Sequence, residues 1–284
     1  MRVVTKRPTH PAVPEPDRTI GEYYASYPEE GRLVKGSSRL EFERTKDILL
    51  RVLPPAPARV VDVGGAAGAY SIWLAERGYD VHLVDLAPRL VDEARRRSSE
   101  AKRPITSFTV ADARSLPQPD DFADAVLVMG PLYHLTGRRE RVRALVEAVR
   151  VARAGAPVAA AAISRYASAL DGLARKLTLD PRFVALRDRD LREGQHRNET
   201  ERIDYFTTAY FHRPDDLLFE LSEADLRDVR VFGVEGPGWT VPDFEERWKD
   251  DALRADLLHV ARALEEEPSI VGASAHLLGV GRKP

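Results

Sequence analysis

Residues 59–71, RVVDVGGAAGAYS, decide the fold of this chain of 284 residues. The stretch begins with a short run of β-branched residues, which predicts a buried strand, and breaks into small residues after Asp62. The next segment has the pattern of a helix from about Ala67 to a stop at Gly78. A strand, a turn of small residues and a helix together form the first unit of an α/β sheet protein.

The same alternation continues along the chain. Further strands are predicted at VHLVDL (81–86), ITSFTVADA (105–113), ADAVLVMG (123–130) and PVAAAAIS (157–164). Helical patterns lie before, between and after them, and Pro88 stands at the first-turn position that proline favours. Strands that alternate with helices in this way predict an α/β fold with a doubly wound, mostly parallel sheet.

The rhythm changes after residue 164, because about sixty residues pass before the next strand-like stretch at 227–236. Such a long connection is unusual in a sheet protein, so we interpret residues 165–226 as a cap inserted between strands 5 and 6. The predicted organisation is a flexible tail at 1–18, an N-terminal helical segment at 19–58, a sheet core at 59–164, this cap, and the C-terminal part of the core at 227–284.

Composition excludes several classes of function. The chain has 43 basic and 45 acidic residues, a formal net charge of −2, so nothing draws it in general to nucleic acid or anionic lipid. No apolar run is long enough to span a membrane and the start lacks a secretory signal, so we expect a cytoplasmic protein without a membrane partner. With no cysteine and no histidine spacing typical of zinc sites, we predict no metal.

Small residues and carboxylates mark the ends of the predicted strands, where ligands of open parallel sheets bind. The glycines after Asp62 let the backbone approach a ligand closely, although an ordinary strand-to-helix turn has the same composition. Asp85 ends the second strand, where a carboxylate can accept hydrogen bonds from two ribose hydroxyls or cap the following helix. Asp112 ends the third strand, either as an acceptor for an adenine amine beside the Ala113 N–H or as a turn residue.

Four motifs in this order and spacing resemble the successive cofactor motifs of class I methyltransferases that use S-adenosylmethionine: VVDVGGAAG, HLVDLAP, VADARSLP and ADAVLVMGPLYHL. The resemblance covers about residues 20 to 165, and the closing HLLGVGRK resembles the last, antiparallel strand of that family. It implies a Rossmann-like sheet of seven strands and S-adenosylmethionine as the cofactor, with S-adenosylhomocysteine as the product. The expected reaction moves a methyl group to O, N or C of a small organic acceptor by in-line displacement.

The resemblance also implies roles for single residues. Asp62 and the glycine turn lie against the methionine part of the cofactor, Asp85 takes the ribose and Asp112 takes the adenine amine. The implied cofactor-binding residues are Tyr24, Asp62, Gly64, Gly65, Ala66, Gly68, Asp85, Leu86, Asp112, Ala113, Met129 and Gly130. Ala66 stands where the family usually has a third glycine, so the turn must accept a Cβ atom there.

Candidate acceptor residues follow the fourth strand and lie in the cap. His134 is the candidate general base, because imidazole suits proton removal near neutral pH, although a hydrogen-bonded histidine in a turn fits the position equally well. The polar and aromatic residues of the cap suit a pocket for a small organic molecule, although each of them could instead pack in the surface or the core. The candidate acceptor contacts are Tyr133, Arg165, His196, Tyr210 and His212.

Three other functions stay open on the sequence. An NAD(P)-dependent oxidoreductase would use Asp85 in the same way, but Gly64-x-Ala66-x-x-Ala69 is a poor fingerprint for it and Asp112 would have no role. Nucleic-acid methyltransferases that modify base amines commonly carry an Asn- or Asp-Pro-Pro-aromatic motif where this chain has MGPLYH, so we expect no nucleic-acid partner. A non-catalytic relative that only binds a nucleoside is the third. A homodimer is the candidate assembly, and the sequence does not decide the oligomeric state.

Overall fold

The computed structural model describes residues 31–200 and 202–284. Tyr24, the predicted tail at 1–18 and the first part of the predicted segment at 19–58 lie outside the described residues. The strands are β1 (Arg59–Val63), β2 (Asp80–Asp85), β3 (Ser107–Val110), β4 (Ala125–Val128), β5 (Pro157–Ser164), β6 (Gln195–His196), β7 (Ala209–His212), β8 (Arg227–Gly233) and β9 (His276–Arg282).

The first three helices begin or end close to the positions that the sequence predicts, whereas the helices at Pro131–His134, Pro181–Glu193 and Pro214–Glu223 were not predicted. The first ends before Pro54, Pro88 is the first residue of the third, and Gly78 follows the second with a left-handed φ of 97°. The α-helices are α1 (Ser38–Val52), α2 (Ala69–Ala75), α3 (Pro88–Ser99), α4 (Pro131–His134), α5 (Arg138–Val151), α6 (Ala167–Ala174), α7 (Pro181–Glu193), α8 (Pro214–Glu223), α9 (Phe244–Lys249) and α10 (Asp251–Ala263).

The sheet confirms the doubly wound architecture. Strands β3, β2, β1, β4 and β5 are neighbours in this order and run parallel. Strand β9 is antiparallel to β5, and β8 is antiparallel to β9, as predicted for the end of the chain. Because the strand order reverses between β1 and β4, a ligand crevice is expected beyond the carboxyl ends of these two strands.

Both faces of the sheet are buried. Val60 and Val61 alternate along β1 and enter different apolar clusters on the two sides. One cluster contains Leu74 of α2, and the other contains Leu145 of α5 and Leu217 of α8. This packing fixes the strands, so that polar side chains at their carboxyl ends are held in place.

The segment predicted as a cap adds an antiparallel pair of strands to the sheet. Strand β6 pairs with β7, and β7 runs parallel to the end of β5, with Ile163 opposite Phe211. Ile163 also pairs with His276 of β9 on its other edge, so β7 lies on the β4 side, beyond the end of β4 at Val128. The same segment contains α8, which packs on the sheet through Leu217. The domain boundaries stay a prediction.

Among the described residues, none of the helices has the length and apolarity needed to cross a lipid bilayer.

Candidate active site

The glycine turn connects β1, β2 and the segment after β4. Gly64 and Gly68 have φ values of 75° and 82°, in the left-handed region that favours glycine. The Gly64 N–H donates to the Val84 carbonyl oxygen at 2.7 Å. A Cβ atom on Gly64 would overlap with the ring of Pro131, and one on Gly65 would lie 2.9 Å from Leu83 Cγ. The small residues are therefore required both by the backbone conformation and by the close approach of two neighbouring segments.

Asp62 is fully buried at the base of this turn. Its Oδ2 atom accepts a hydrogen bond from Ser71 Oγ at 2.6 Å, whereas Oδ1 has no partner among the residues that the structure describes. Burial raises the pKa of the Asp62 carboxyl to about 6; the Ser71 bond opposes this shift and the nearby Asp85 adds to it. A buried acceptor without a partner is costly, so Oδ1 is available to a donor on a bound molecule.

Asp85 joins the glycine turn to the start of α3. Its Oδ2 accepts from the Ala66 N–H and its Oδ1 from the Ala87 N–H, both at 2.9 Å. Burial raises the pKa of Asp85, and the backbone N–H groups of Ala87, Ala66 and Leu86 oppose that shift. Ala66 adopts a φ of 46°, so the turn does accept its Cβ atom in a left-handed conformation. The carboxylate is therefore held in one orientation beside the turn.

Asp112 has a partner that the sequence analysis missed. The buried guanidinium of Arg114 donates Nη2–H to Asp112 Oδ2 at 2.7 Å, and the Arg114 backbone N–H donates to Oδ1 at 2.8 Å. Burial acts to raise the pKa of Asp112, but Arg114 outweighs it and the pKa is lowered. The Asp-x-Arg spacing was the available signal. Asp112 and the buried Ala113 lie at the strand end next to Asp85, and their role towards adenine stays a prediction.

The remaining predicted cofactor residues lie around the same strand ends. Leu86 is 45% exposed directly after Asp85, which leaves an apolar surface beside a carboxylate. Met129 packs against the core and donates its N–H to the Val63 carbonyl oxygen at 2.8 Å. A Cβ atom on Gly130 would lie 3.5 Å from the Tyr133 hydroxyl, so Tyr133 reaches back to the glycine turn.

A cavity of about 260 Å³ adjoins this region. Tyr133 lines it, and the Tyr133 hydroxyl lies close to Gly130, which approaches Gly64; none of the predicted cofactor-binding residues that the structure describes lines the cavity. Its aromatic lining residues are Tyr133, Phe183, Tyr205, Phe206, Phe211 and Trp239, and its polar ones are Arg32, Ser168, Asp171, His196, Asp204 and His276. Aromatic walls with a few polar groups are typical of sites for small organic molecules.

His134 belongs to α4 and contacts two of these aromatic residues. Its ring lies 4.7 Å from the Tyr133 ring and 6.1 Å from the Phe206 ring, measured between centroids. Burial lowers the pKa of His134 to about 4, and a backbone hydrogen bond with Thr208 opposes this shift only in part. The imidazole is therefore neutral at neutral pH but accepts a proton poorly. Its role as the general base stays a prediction.

His196 lines the cavity, but both of its ring nitrogens are used within the protein. Nδ1 lies 2.9 Å from Asp190 Oδ2, and Nε2 lies 2.7 Å from the Tyr205 carbonyl oxygen. The ring stacks on Phe211 with a centroid distance of 4.9 Å and an interplanar angle of 8°. His196 therefore offers a bound molecule its ring surface, not a free nitrogen atom.

The structure places Arg165, Tyr210 and His212 in a second polar cluster and not among the residues that line the cavity. Arg165 Nη2 donates to the Tyr210 hydroxyl at 3.2 Å, and His212 Nε2 lies 3.2 Å from Glu220 Oε2. The Arg141 guanidinium lies 3.7 Å from the Tyr210 ring centroid and is paired with Glu220. Tyr210 and His212 thus contact a buried ion pair and Arg165 bonds to Tyr210, so the placement of the three residues does not favour the predicted contact with an acceptor.

A cluster that the sequence analysis missed lies at the cavity. Arg32 donates to Glu41 Oε2 at 2.7 Å, and His276 Nδ1 lies 2.6 Å from Glu235 Oε1 and 3.7 Å from Glu41 Oε2. Glu235 also accepts from Ser274 Oγ at 2.5 Å. These residues come from distant parts of the chain, so no local motif could have identified the cluster.

Comparison with known proteins agrees with the motifs. Residues 60–155 match the methyltransferase domain family. An uncharacterized methyltransferase of Mycobacterium tuberculosis is 36% identical over 104 residues, which are 37% of this chain and 39% of the relative. Glycine/sarcosine N-methyltransferase of Parasynechococcus marenigrum is 33% identical over 143 residues, 47% of this chain and 49% of that protein. The chain thus spans less than half the length of these relatives.

A solved structure shares the fold over nearly the whole chain. A Thermotoga maritima protein described as an S-adenosylmethionine-dependent methyltransferase, a possible histamine N-methyltransferase, has a TM-score of 0.56 at 18% identity and covers 94% of this chain and 97% of its own. Phosphoethanolamine N-methyltransferase 2 of Haemonchus contortus, solved with S-adenosylmethionine, has a TM-score of 0.55 at 16% identity. The match covers 86% of this chain and 53% of that protein. The match over residues 60–155 confirms the predicted resemblance to the class I methyltransferases that use S-adenosylmethionine, and these solved structures share the fold of the chain.

Proposed function

We propose that this chain is an enzyme that binds S-adenosylmethionine beside the glycine turn and moves its methyl group to a small organic acceptor in the adjoining cavity. The observation that carries the proposal is the buried Asp62 carboxylate, whose Oδ1 atom has no partner among the described residues. It lies next to a turn that excludes larger side chains, and Tyr133 connects that turn to an aromatic cavity.

The residues at the strand ends suit the parts of this cofactor. Asp85 is held by two backbone N–H groups with its remaining lone pairs available for ribose hydroxyls, and Leu86 offers apolar surface to the adenine ring. Asp62 suits a donor such as the amino group of the methionine part. When bound, S-adenosylmethionine supplies a methyl group on a sulfonium, which is already an activated leaving group.

The chain therefore needs chiefly to position an acceptor and to exclude water. The aromatic walls of the cavity, including Phe206, Phe211 and Trp239, suit the first task for an organic molecule of modest size. Strands β6 and β7 contribute part of this wall, and they belong to the inserted segment rather than to the common sheet. In this proposal, the inserted segment therefore determines which acceptor the cavity binds.

Isothermal titration calorimetry with S-adenosylhomocysteine tests cofactor binding. Asp85→Ala removes a charged acceptor for the ribose, so we expect its Kd to rise about tenfold or more, from hydrogen bonds worth roughly 1.5–3 kcal/mol. Asp92→Ala, an exposed carboxylate on α3, is the matched control and should bind as the unchanged chain does. If the unchanged chain does not bind S-adenosylhomocysteine but does bind NADH, the assignment changes from a methyltransferase to an NAD(P)-dependent oxidoreductase.

Transfer of a labelled methyl group tests the acceptor class. Phenols and amines of low molecular mass are offered with S-adenosylmethionine, and bulk tRNA is offered in parallel. The proposal expects label in at least one small molecule and none in tRNA. Labelled tRNA in place of small molecules would contradict the proposed acceptor class while leaving the family intact.

A further inference from the structure

We propose that the imidazole of His276, oriented by Glu235, accepts the proton of an acceptor that presents its nucleophilic atom as O–H or N–H in this cavity. The inference rests on the proposed methyl transfer and goes beyond it, because it assigns the proton acceptor and restricts the acceptor to molecules that lose a proton. It also assigns to His276 the role that the sequence suggested for His134.

His276 lies where an acceptor would be held. It is the first residue of β9 and pairs with Ile163 near the carboxyl end of β5, and both residues line the cavity. Tyr133, which reaches the glycine turn, lines the same cavity. Tyr133 is therefore common to the surroundings of the predicted cofactor turn and to the cavity that His276 lines.

The hydrogen bonds of His276 define which nitrogen atom is available. Nδ1 lies 2.6 Å from Glu235 Oε1, and because a carboxylate only accepts hydrogen bonds, Nδ1 carries the proton in the neutral ring. Nε2 then holds the lone pair, and none of the residues that the structure describes makes a hydrogen bond with it. The ring is thus held as a base whose free nitrogen atom can receive a proton.

Glu235 is itself fixed. It is 1% exposed, and its Oε2 accepts from Ser274 Oγ at 2.5 Å and from the His276 backbone N–H at 3.0 Å. A base that is oriented by a third, rigid group is the arrangement that general-base catalysis uses in many enzymes. Glu235 is a positioning residue here, and His276 is the proposed catalytic one.

The charges around His276 favour its protonated form. Burial acts to lower the pKa of His276, but Glu41 on α1 and Glu235 after β8 outweigh it and raise the pKa above the ordinary value of 6.5, with Arg32 opposing them. The contrast is with His134, where burial lowers the pKa to about 4. Of the two histidines, His276 accepts a proton more readily near neutral pH.

A metal site is the other use of this cluster. Glu41, Glu235 and His276 offer ligand atoms within 4.8 Å of one another. Arg32, however, donates to both Glu41 carboxylate oxygens, at 2.7 and 3.0 Å, and Ser274 already donates to Glu235. A cation would have to displace these donors, so we interpret the cluster as an ion-pair network around the histidine.

The proposed step balances in atoms and charge. The acceptor oxygen or nitrogen forms a bond to the methyl carbon, the bond between that carbon and sulfur breaks, and its electron pair stays on sulfur. The O–H or N–H proton moves to His276 Nε2. The products are the methylated acceptor, S-adenosylhomocysteine and an imidazolium that Glu235 and Glu41 stabilise until it releases its proton to water.

Turnover is the first test. S-adenosylhomocysteine release is followed with the phenol and amine probes for the unchanged chain, for His276→Gln and for His259→Gln, an exposed histidine on α10 that serves as the control. We expect His276→Gln to lower kcat about 100-fold or more while its affinity for S-adenosylhomocysteine stays the same. If His276→Gln binds S-adenosylhomocysteine and keeps more than about a tenth of kcat, the inference is overturned.

A second test needs no acceptor. Carbethoxylation by diethyl pyrocarbonate requires an accessible, unprotonated ring nitrogen, and mass spectrometry of peptides follows it at His276 across a range of pH with S-adenosylhomocysteine bound. We expect a midpoint above about 6.5, lowered in Glu235→Gln. No reaction at His276, or a midpoint that Glu235→Gln leaves unchanged, contradicts the inference; should Glu235→Gln not fold, the midpoint of the unchanged chain decides. Loss of S-adenosylhomocysteine binding by the unchanged chain would instead count against the proposed function.

Discussion

Asp62→Asn is expected to change the stability of the protein in a way that depends on pH. Burial raises the pKa of Asp62 from 3.8 to about 6, so the folded chain holds this proton more tightly than the unfolded chain does. The stability that Asp62 contributes is therefore fully present below about pH 3.8 and is lost as the pH rises through about 6. A difference of about two pKa units at ~1.36 kcal/mol each gives a loss of ~3 kcal/mol at neutral pH.

The asparagine variant has no carboxyl at this position and should not show that loss. Ser71 can still donate to its amide oxygen, and the new amide N–H adds an unpaired donor whose cost is the same at every pH. The free energy of unfolding of the variant minus that of the unchanged chain should thus rise by ~2.5 kcal/mol between about pH 4 and about pH 7.5, because a small part of the loss has already occurred at about pH 4.

Urea unfolding at several pH values measures this difference directly, since both chains are compared under the same conditions. Asp92→Asn, which changes an exposed carboxylate, is the control for general effects of removing a charge. A difference that stays constant within about 1 kcal/mol over this range would refute the account of Asp62 as a carboxylate kept at a cost in stability.

Two further substitutions test other parts of the structure. Gly64→Ala should lower the free energy of unfolding by at least ~1 kcal/mol, because the φ of Gly64 is 75° and the new Cβ atom would overlap with Pro131. The same substitution should weaken the binding of S-adenosylhomocysteine. Calorimetry measures both quantities, and unchanged values would contradict the role of the turn. Glu220→Leu should cost ~3–5 kcal/mol in urea unfolding by leaving the Arg141 guanidinium buried without its carboxylate, and the double variant with Arg141→Met should recover much of this loss. A double variant no more stable than the single one would argue against a loss caused by the unpaired charge.

The sheet could be predicted because its signals are local. Runs of β-branched residues, Pro88 and Gly78 fix strands and helices within a few residues, and parallel strands bring their carboxyl ends to one edge. Strands β6 and β7 escaped the sequence analysis. Strand β6 has only two residues. Strand β7 pairs with the free edge at the end of β5, and this pairing depends on that edge rather than on the composition of β6 and β7.

The candidate site could be predicted only in part, for the same reason. Asp62 and Asp85 stand next to recognisable turns, and the structure brings them together. Which residues contact the acceptor depends on the direction of their side chains, and composition does not give that direction. Tyr210 and His212 have suitable side chains, but they contact the buried ion pair of Arg141 and Glu220. His276 meets Glu235 only through the pairing of the last two strands.

The measurement that tests the central claim most directly is a crystal structure with S-adenosylhomocysteine bound. The account predicts that the ribose hydroxyls lie within hydrogen-bonding distance of the Asp85 carboxylate and that the methionine part lies over the glycine turn beside Asp62. A molecule bound elsewhere, with its ribose away from Asp85, would contradict the account.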